Sequence, residues 1–242
     1  MPSYLSIVIP TYNEAENIPL LYSAINSALK EYPKTYELLF VDDGSTDNTH
    51  KVLKQLKTKS PDIKVLKHKQ NKGQTLALST GIKAAQGEII ITFDGDLQYD
   101  PKDIILFAEK IEDGFDVVNA WRRDRQDNFF TKRLPSKVAN YLIGLTCGLK
   151  LRDHGSGFKA FKRKYIKNIS LKNNQHRYLS LLAKLNGANN IVEVCVSCAE
   201  RPFGKSKYTI LRFFPVLKDL ISFIFFRLTN IYRLNNTANN SF

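Results

Sequence analysis

The sequence predicts an α/β protein with a mostly parallel sheet and helices on both faces. Two observations support this fold class. Apolar runs typical of buried strands alternate with amphipathic segments of helical periodicity, and several of the apolar runs end in acidic, turn-forming residues. No linker or internal repeat divides the 242 residues, a length that allows one sizeable domain.

The predicted strands and helices alternate through the first half of the chain. The strands cover residues 5–9, 36–41, 63–66, 88–93, 116–120 and 191–196, and the helices cover residues 17–28, 47–57 and 73–85. No G-x-G-x-x-G pattern follows the first strand, and residues 72–75 lack the rest of a P-loop. These absences disfavour a dinucleotide-dependent enzyme and a P-loop NTPase.

Polar side chains follow three of the predicted strands at the point where each strand ends. The three segments are Pro10-Thr11-Tyr12-Asn13-Glu14, Asp42-Asp43-Gly44-Ser45-Thr46-Asp47 and Asp94-Gly95-Asp96-Leu97-Gln98. The carboxyl ends of parallel strands form the ligand-binding edge of an open α/β sheet. Two carboxylates separated by a glycine suit a divalent cation that carries a diphosphate, although a turn capped by Asp is the simpler alternative. The pattern therefore predicts a nucleotide site.

These segments resemble the family 2 glycosyltransferases with the GT-A fold, in particular dolichyl-phosphate mannose synthases and bacterial polyprenyl-phosphate glycosyltransferases. Residues 153–160 (DHGSGFKA) and 201–208 (RPFGKSKY) extend the resemblance to about residues 4–208. It implies an inverting enzyme that moves a hexose from GDP-mannose or a UDP-sugar to dolichyl or undecaprenyl phosphate. Such an enzyme acts at the cytoplasmic face of the membrane.

The resemblance also assigns roles on the donor side. Asp94 and Asp96 are the expected ligands of Mg²⁺ or Mn²⁺, with Gln98 as a neutral oxygen ligand. Arg201 and Lys207 are expected to clamp the diphosphate. The expected contacts to the donor nucleotide come from Pro10, Tyr12, Glu14, Asp42, Asp43 and Asp94, with Asp42 and Asp43 at the base or ribose and Pro10, Tyr12 and Glu14 as the wall of the base pocket. For Glu14, capping of the following helix is the competing interpretation.

On the acceptor side, the resemblance points to cations that bind a lipid phosphate. The candidates are Arg122, Arg133, Ser136, His176 and Arg177. A phosphate is already an oxyanion and needs no general base. The sequence lacks the Glu-Asp pair that saccharide-elongating relatives place near residues 155–157. Asp153 is expected either to hold this acceptor loop or to touch the donor sugar, and His176 and Arg177 are equally compatible with a structural role.

Two features depart from the family pattern. Tyr99-Asp100-Pro101 replaces the usual His-Pro or Pro-Pro after Leu-Gln, which alters the wall beside the metal ligands. Many relatives also carry C-terminal transmembrane helices. Here the apolar run at 213–228 is interrupted by Lys218 and Asp219 and is shorter than the ~20 residues of a span.

Charge and cysteine content indicate the partners and the compartment. The net charge of +13 calls for an acidic partner, and the mixture of basic and large apolar residues after Arg201 fits an anionic membrane surface better than nucleic acid. We therefore expect a GT-A domain at 1–210, a peripheral amphipathic helix at 211–233 and a disordered tail at 234–242. Three cysteines and a start atypical of a signal peptide favour the cytoplasm. Cys195 and Cys198 have C-x-x-C spacing, but their apolar strand favours packing over redox chemistry.

Three alternatives remain open at this point. The acceptor of the transferase could be a saccharide of the cell surface rather than a lipid phosphate. The chain could instead be a non-catalytic module that binds nucleotides or nucleic acid, although the acids at the strand ends would repel a phosphate backbone. The C-terminal helix could dock on its own domain or on a second copy of the chain in a homo-oligomer.

Overall fold

The computed structural model describes residues 3–123, 148–171 and 174–199. Its strands are β1 (Leu5–Thr11), β2 (Tyr36–Asp42), β3 (Ile63–Lys67), β4 (Ile89–Thr92), β5 (Val117–Arg122), β6 (Lys159–Lys162) and β7 (Ile191–Val196). Its helices are α1 (Asn17–Ala28), α2 (Thr49–Lys59), α3 (Gln74–Ala84), α4 (Asp103–Glu112), α5 (Arg163–Ile166), a 3₁₀ helix (Gln175–Tyr178) and α6 (Leu179–Leu185).

Within these residues the strands form a seven-stranded sheet of order β3-β2-β1-β4-β6-β5-β7. Strands β1 to β4 are parallel, and β6 runs antiparallel to both β4 and β5. Strand β7 is parallel to β5. Consequently the carboxyl ends of β1, β2, β4, β5 and β7 lie at the same edge as the start of β6. This edge carries the predicted site.

Helices cover both faces of the sheet because its central strands are apolar on both sides. In β1, Leu5, Ile7 and Ile9 pack into a core cluster with residues of α1, α2 and α4. Val8 points to the opposite face and packs in a second cluster with residues of α3 and α6. This alternation follows from the period of two in a strand, and it confirms the predicted architecture.

The predicted strands and helices are confirmed, with small differences at their ends. The second helix begins at Thr49 rather than at residue 47, because the Asp47 carboxylate accepts hydrogen bonds from the Thr49 and Ala15 backbone N–H groups. The third helix begins after Gly73, whose φ of 89° is not helical. Helix α4 and the elements from β6 to α6 were not predicted. In β6 the sequence Lys-Ala-Phe-Lys reads as polar, yet the Lys159 side chain is buried.

The chain divides into two compact units, residues 1–125 with 153–205 and residues 126–152 with 206–242. The structure describes only residues 148–152 of the second unit. The predicted domain boundary near residue 210 and the predicted C-terminal helix and tail fall outside the described residues and stay predictions. Across the three described ranges, no helix combines the length and the hydropathy that crossing a membrane requires.

Candidate active site

Asn13 joins the loops that follow β1 and β2. Its backbone adopts the left-handed conformation, with φ of 55°, which Asn tolerates better than most residues. The Asn13 N–H donates to Ser45 Oγ at 3.0 Å, and the Thr46 N–H donates to Asn13 Oδ1 at 2.8 Å. The Glu14 N–H donates to Thr49 Oγ1. The two loops therefore form one continuous wall, with Pro10, Tyr12 and Glu14 partly exposed on it.

The Glu14 carboxylate contacts the first turn of α1. It accepts a hydrogen bond from the side-chain amide of Asn17. No side-chain cap closes the start of α1. Glu14 thus lies both at the wall and beside the start of α1, and its contact with the base and its capping of the helix both stay predictions.

Asp42 and Asp43 are both buried at the end of β2. Asp42 Oδ1 accepts from the Ser45 N–H at 2.9 Å. Its Oδ2 lies 3.2 Å from His50 Nδ1. Burial and then Lys67 lower the pKa of His50 below its ordinary value, despite the opposing effect of Asp42. Asp42 therefore shapes its own turn.

Asp43 holds the loop that leads into α3. Its Oδ1 contacts His68 Nδ1 at 2.7 Å and accepts from the Lys72 N–H at 2.9 Å, while Oδ2 accepts from the Gly73 N–H at 2.7 Å. His68 is in turn bonded to Thr80 Oγ1 of α3. These bonds give Asp43 a structural role in the site. Its contact with a base or ribose stays a prediction.

The 94–98 loop follows β4 and carries the candidate metal ligands. Gln74 Nε2 donates to Asp94 Oδ1 at 3.0 Å. A Cβ at position 157 would overlap the Asp94 carboxylate, so only glycine allows this approach of the backbone. Asp96 is buried, and its Oδ1 accepts from the Gln98 N–H at 3.2 Å. Leu97 between them has a left-handed φ of 59°, an uncommon conformation for a bulky residue.

The chemistry of these donors fits a divalent cation that shares its coordination with a substrate. The described residues contain no group of three or more His, Cys, Asp and Glu side chains able to hold a metal. Asp94, Asp96 and Gln98 instead offer two carboxylates and one amide oxygen. Gln98 Nε2 donates to the Ala199 carbonyl at 3.2 Å, which fixes the orientation of the amide. Mg²⁺ typically binds to one or two carboxylates together with substrate phosphates, and Mn²⁺ also prefers oxygen ligands.

Two predicted residues, Arg122 and Asp153, form an ion pair at the end of β5. Arg122 Nε donates to Asp153 Oδ2 at 2.7 Å, and an Arg122 Nη donates to Oδ1 at 3.0 Å. Only 13% of the arginine side chain and 8% of the aspartate side chain are exposed. The geometry is the bidentate one that strengthens charge-assisted hydrogen bonds. Asp153 thus holds its loop against β5, and any phosphate at Arg122 must share the guanidinium with it.

The backbone of Asp153 is fixed by β5 and β7. Its N–H donates to Glu193 Oε1 at 3.0 Å, and its carbonyl accepts from Asn119 Nδ2 at 2.9 Å. Asn119 Oδ1 accepts from Ser180 Oγ of α6 at 3.0 Å. Each bond joins a buried or half-buried polar group to another, so the network is costly to break.

Lys159 supports the 153–158 loop from the start of β6. Its side chain is fully buried, and Nζ donates to the carbonyls of His154 and Ser156 at 2.9 and 2.6 Å. Burial lowers the pKa of Lys159 to about 8, while Asp153 opposes the shift. Thr92 Oγ1 donates to the Gly157 carbonyl at 2.7 Å. Three carbonyls of one loop are therefore anchored by side chains beneath it.

The 3₁₀ helix brings His176 to the start of α3, because His176 Nδ1 lies 2.7 Å from Thr75 Oγ1. Thr75 follows Gln74, which holds Asp94. His176 and Arg177 are both partly exposed, as contact with a phosphate would require. That contact stays a prediction. The other predicted residues of this group and of the diphosphate clamp, Arg133, Ser136, Arg201 and Lys207, lie outside the described residues.

Comparison with known proteins decides the family. Residues 6–170 match the model of glycosyl transferase family 2. The chain is also 38% identical over 225 residues to a dodecaprenyl-phosphate galacturonate synthase of Rhizobium johnstonii, covering 92% of this chain and 67% of that protein. The chain belongs to glycosyltransferase family 2.

Solved structures confirm the GT-A fold of this glycosyltransferase. A mannosyltransferase of Pyrobaculum calidifontis, in complex with GDP-Man and Mn²⁺, superposes with a TM-score of 0.62 at 21% identity. That match covers 88% of this chain and 60% of the mannosyltransferase. Glucosyl-3-phosphoglycerate synthase of Mycobacterium tuberculosis, in complex with Mn²⁺, UDP-glucose and phosphoglyceric acid, gives 0.62 at 22% identity and covers 83% and 73% of the two chains.

Sequence reasoning missed four residues that organise the site of the glycosyltransferase: Gln74, Asn119, Lys159 and Glu193. A usable signal existed for Glu193, which interrupts an apolar strand, where a charge is rarely left unpaired, whereas the lysines of β6 hid Lys159. Gln74 and Asn119 carry no such signal. The interpretation of Cys195 as a packed residue is wrong, because its side chain is exposed near the end of β7.

Proposed function

We propose that this chain is an inverting transferase that moves a hexose from a nucleotide sugar to a polyprenyl phosphate. The observation that carries the proposal is the 38% identity, over 92% of this chain, to a dodecaprenyl-phosphate galacturonate synthase. GDP-mannose and UDP-sugars, including UDP-uronic acids, are the candidate donors. A saccharide acceptor is the alternative within the same enzyme class.

The electrostatics of the described acceptor side support a phosphate acceptor. A hydroxyl acceptor requires a carboxylate that can accept its proton in the transition state. Asp153 is committed to the Arg122 guanidinium, and Glu193 accepts the Asp153 N–H. A polyprenyl phosphate arrives as an oxyanion, so it can attack without either carboxylate.

On the donor side, Asp94, Asp96 and Gln98 would hold Mg²⁺ or Mn²⁺. A metal bound there stabilises the negative charge of the departing nucleoside diphosphate. The chain prepares this site by orienting Asp94 between the Gln74 amide and the Gly157 backbone. Arg201 and Lys207 would add positive charge to the diphosphate, and the wall at Pro10 and Tyr12 would contact the base.

The proposed place of action is the cytoplasmic face of the membrane, where the enzyme binds peripherally. Residues 211–233 would form an in-plane amphipathic helix whose basic side chains contact acidic head groups, each adding about 1 kcal/mol at most. Deletion after Tyr208 should release the protein from anionic liposomes and spare nucleotide binding. Equal liposome binding by the truncated and full chains would contradict this role.

The test of the function is a transfer assay with purified protein, Mn²⁺, undecaprenyl phosphate and a panel of radiolabelled nucleotide sugars. We expect label in the lipid fraction with one of the donors. Arg133→Ala should raise the KM for undecaprenyl phosphate far more than the KM for the nucleotide sugar. Label that passes only to soluble saccharides would overturn the lipid acceptor in favour of the alternative.

A further inference from the structure

Tyr99 departs from the family pattern beside the candidate metal ligands, and its side chain contacts the 153–158 loop. It directly follows the 94–98 loop, and only 3% of its surface is exposed. Its hydroxyl lies 3.0 Å from the Oγ of Ser156, a buried residue of the 153–158 loop. Both groups are hydroxyls, so either one can donate in this bond.

An aromatic cluster fixes the ring of Tyr99. Its centroid lies 5.9 Å from that of Phe93 and 5.4 Å from that of Phe158, both in tilted or edge-on orientations. Phe158 in turn stacks on Phe107 of α4 at 4.0 Å. These ring contacts fix the position of the phenol oxygen independently of its hydrogen bond to Ser156. A phenylalanine at position 99 would therefore keep the packing and lose only the bond to Ser156.

The same two loops touch at a second point, where the backbone of Gly157 lies against the Asp94 carboxylate. Ser156 and Gly157 are adjacent, and so the two contacts act on one short stretch of backbone. That stretch is three to four residues from Asp153, the partner of Arg122. A shift of the 94–98 loop on binding a nucleotide and metal must therefore displace the 153–158 loop or break these contacts.

We infer that Tyr99 is a positioning residue which, through Ser156, couples occupancy of the donor site to affinity for the acceptor. The inference rests on the proposed function. By linkage, the coupling is reciprocal: bound nucleotide tightens the binding of lipid phosphate, and lipid phosphate tightens the binding of nucleotide by the same factor. Ser156 keeps local partners without Tyr99, since its Oγ also lies 3.3 Å from the Phe158 N–H. Removing the phenol hydroxyl therefore does not leave the buried Ser156 hydroxyl without a hydrogen-bond partner.

The test is equilibrium binding of undecaprenyl phosphate in detergent micelles to the full chain, with and without saturating nucleoside diphosphate and Mn²⁺. UDP and GDP are both tried, and the tighter one is used. In the wild type we expect the nucleotide to lower the Kd for the lipid. The coupling ratio is the Kd for the lipid without nucleotide divided by the Kd with nucleotide. In Tyr99→Phe this ratio should fall about fivefold towards one, which is the effect expected from the loss of one neutral hydrogen bond. The Kd for the nucleotide alone should change less than twofold.

Two further variants separate coupling from general damage. Ser156→Ala should reproduce the effect, and the double variant should show no additional loss, because both changes remove the same bond. Tyr36→Phe is the matched control. Tyr36 is the first residue of β2, at the end of the strand away from the site, and its hydroxyl donates to Asn26 of α1. It should leave the ratio unchanged.

The outcomes distinguish this inference from the proposed function. A wild-type ratio of one, or a ratio that survives in Tyr99→Phe, overturns the coupling role and leaves the proposed acceptor standing. Failure of the wild type to bind undecaprenyl phosphate under any condition overturns the proposed acceptor and the coupling with it. Loss of the ratio in Tyr99→Phe and Ser156→Ala, but not in Tyr36→Phe, supports both.

Discussion

The donor side and the acceptor side of the site are held in place by different interactions. On the donor side, defined by the loops after β1, β2 and β4, side chains bind backbone N–H groups of neighbouring loops, as Asp43 binds the N–H groups of Lys72 and Gly73. On the acceptor side, defined by Arg122, the 153–158 loop and Glu193, a nearly buried ion pair between Arg122 and Asp153 is added to bonds of this kind. Changes on the donor side should therefore affect mainly ligand binding, whereas changes on the acceptor side should also affect folding.

The largest expected effect tests the donor side. Asp96→Ala should lower the transfer rate about 10³-fold, because stabilisation of the leaving diphosphate is needed most in the transition state. The far-UV circular dichroism spectrum should not change. The control is Asp113→Ala, an exposed acid paired with Lys110 at the end of α4, which should retain full activity. If Asp96→Ala, or the wild type in EDTA, transfers the sugar at the normal rate, the assignment of Asp96 as a ligand of an essential metal is wrong.

The next effect tests the acceptor side. Asp153→Asn should lower the free energy of unfolding by about 3 kcal/mol, because it leaves the nearly buried Arg122 guanidinium without its counter-charge. Urea denaturation measures the change. The double variant Arg122→Met, Asp153→Asn should recover much of this loss. If the single variant is as stable as the wild type, the ion pair is not what holds the 153–158 loop.

A smaller effect on the donor side should separate nucleotide binding from lipid phosphate binding. Asn13→Ala removes the bond between its amide and Thr46 and places a less suited residue in the left-handed conformation. We expect a loss of about 1–2 kcal/mol in unfolding free energy and several-fold weaker binding of nucleotide with Mn²⁺. Lipid phosphate binding measured without nucleotide should not change. Asn26→Ala, an exposed position on α1, serves as the control.

The smallest effect is a pH dependence on the acceptor side. Burial holds the pKa of Lys159 near 8, below the ordinary value of 10.5, so the unfolded chain binds more protons at this residue between those values. The stability of the wild type should therefore rise relative to Lys159→Met as the pH increases from about 8 to 10, by on the order of 1 kcal/mol. Thermal unfolding at several pH values measures the difference. A difference that stays constant, as expected for exposed Lys102→Met, would show that Lys159 is not buried in its charged form.

The comparison also explains how far the sequence alone leads. The donor side follows contiguous motifs at strand ends, so Asp94, Asp96 and the wall at Tyr12 could be placed from periodicity and strand order. The acceptor side brings together Asn119, Asp153 and Glu193 from distant segments. Their contact depends on β6 running antiparallel between β4 and β5, and the lysines of Lys159–Lys162 concealed that strand.

The most direct test of the account compares two acceptors that differ in one group. Undecaprenyl phosphate and undecaprenol are offered to the purified chain with Mn²⁺ and a saturating radiolabelled donor, and the label in the lipid fraction is measured. Because Asp153 and Glu193 are committed within the protein, we expect label only in the phosphate-bearing lipid. Equal labelling of undecaprenol would mean that the site supplies a general base, and it would contradict the central claim.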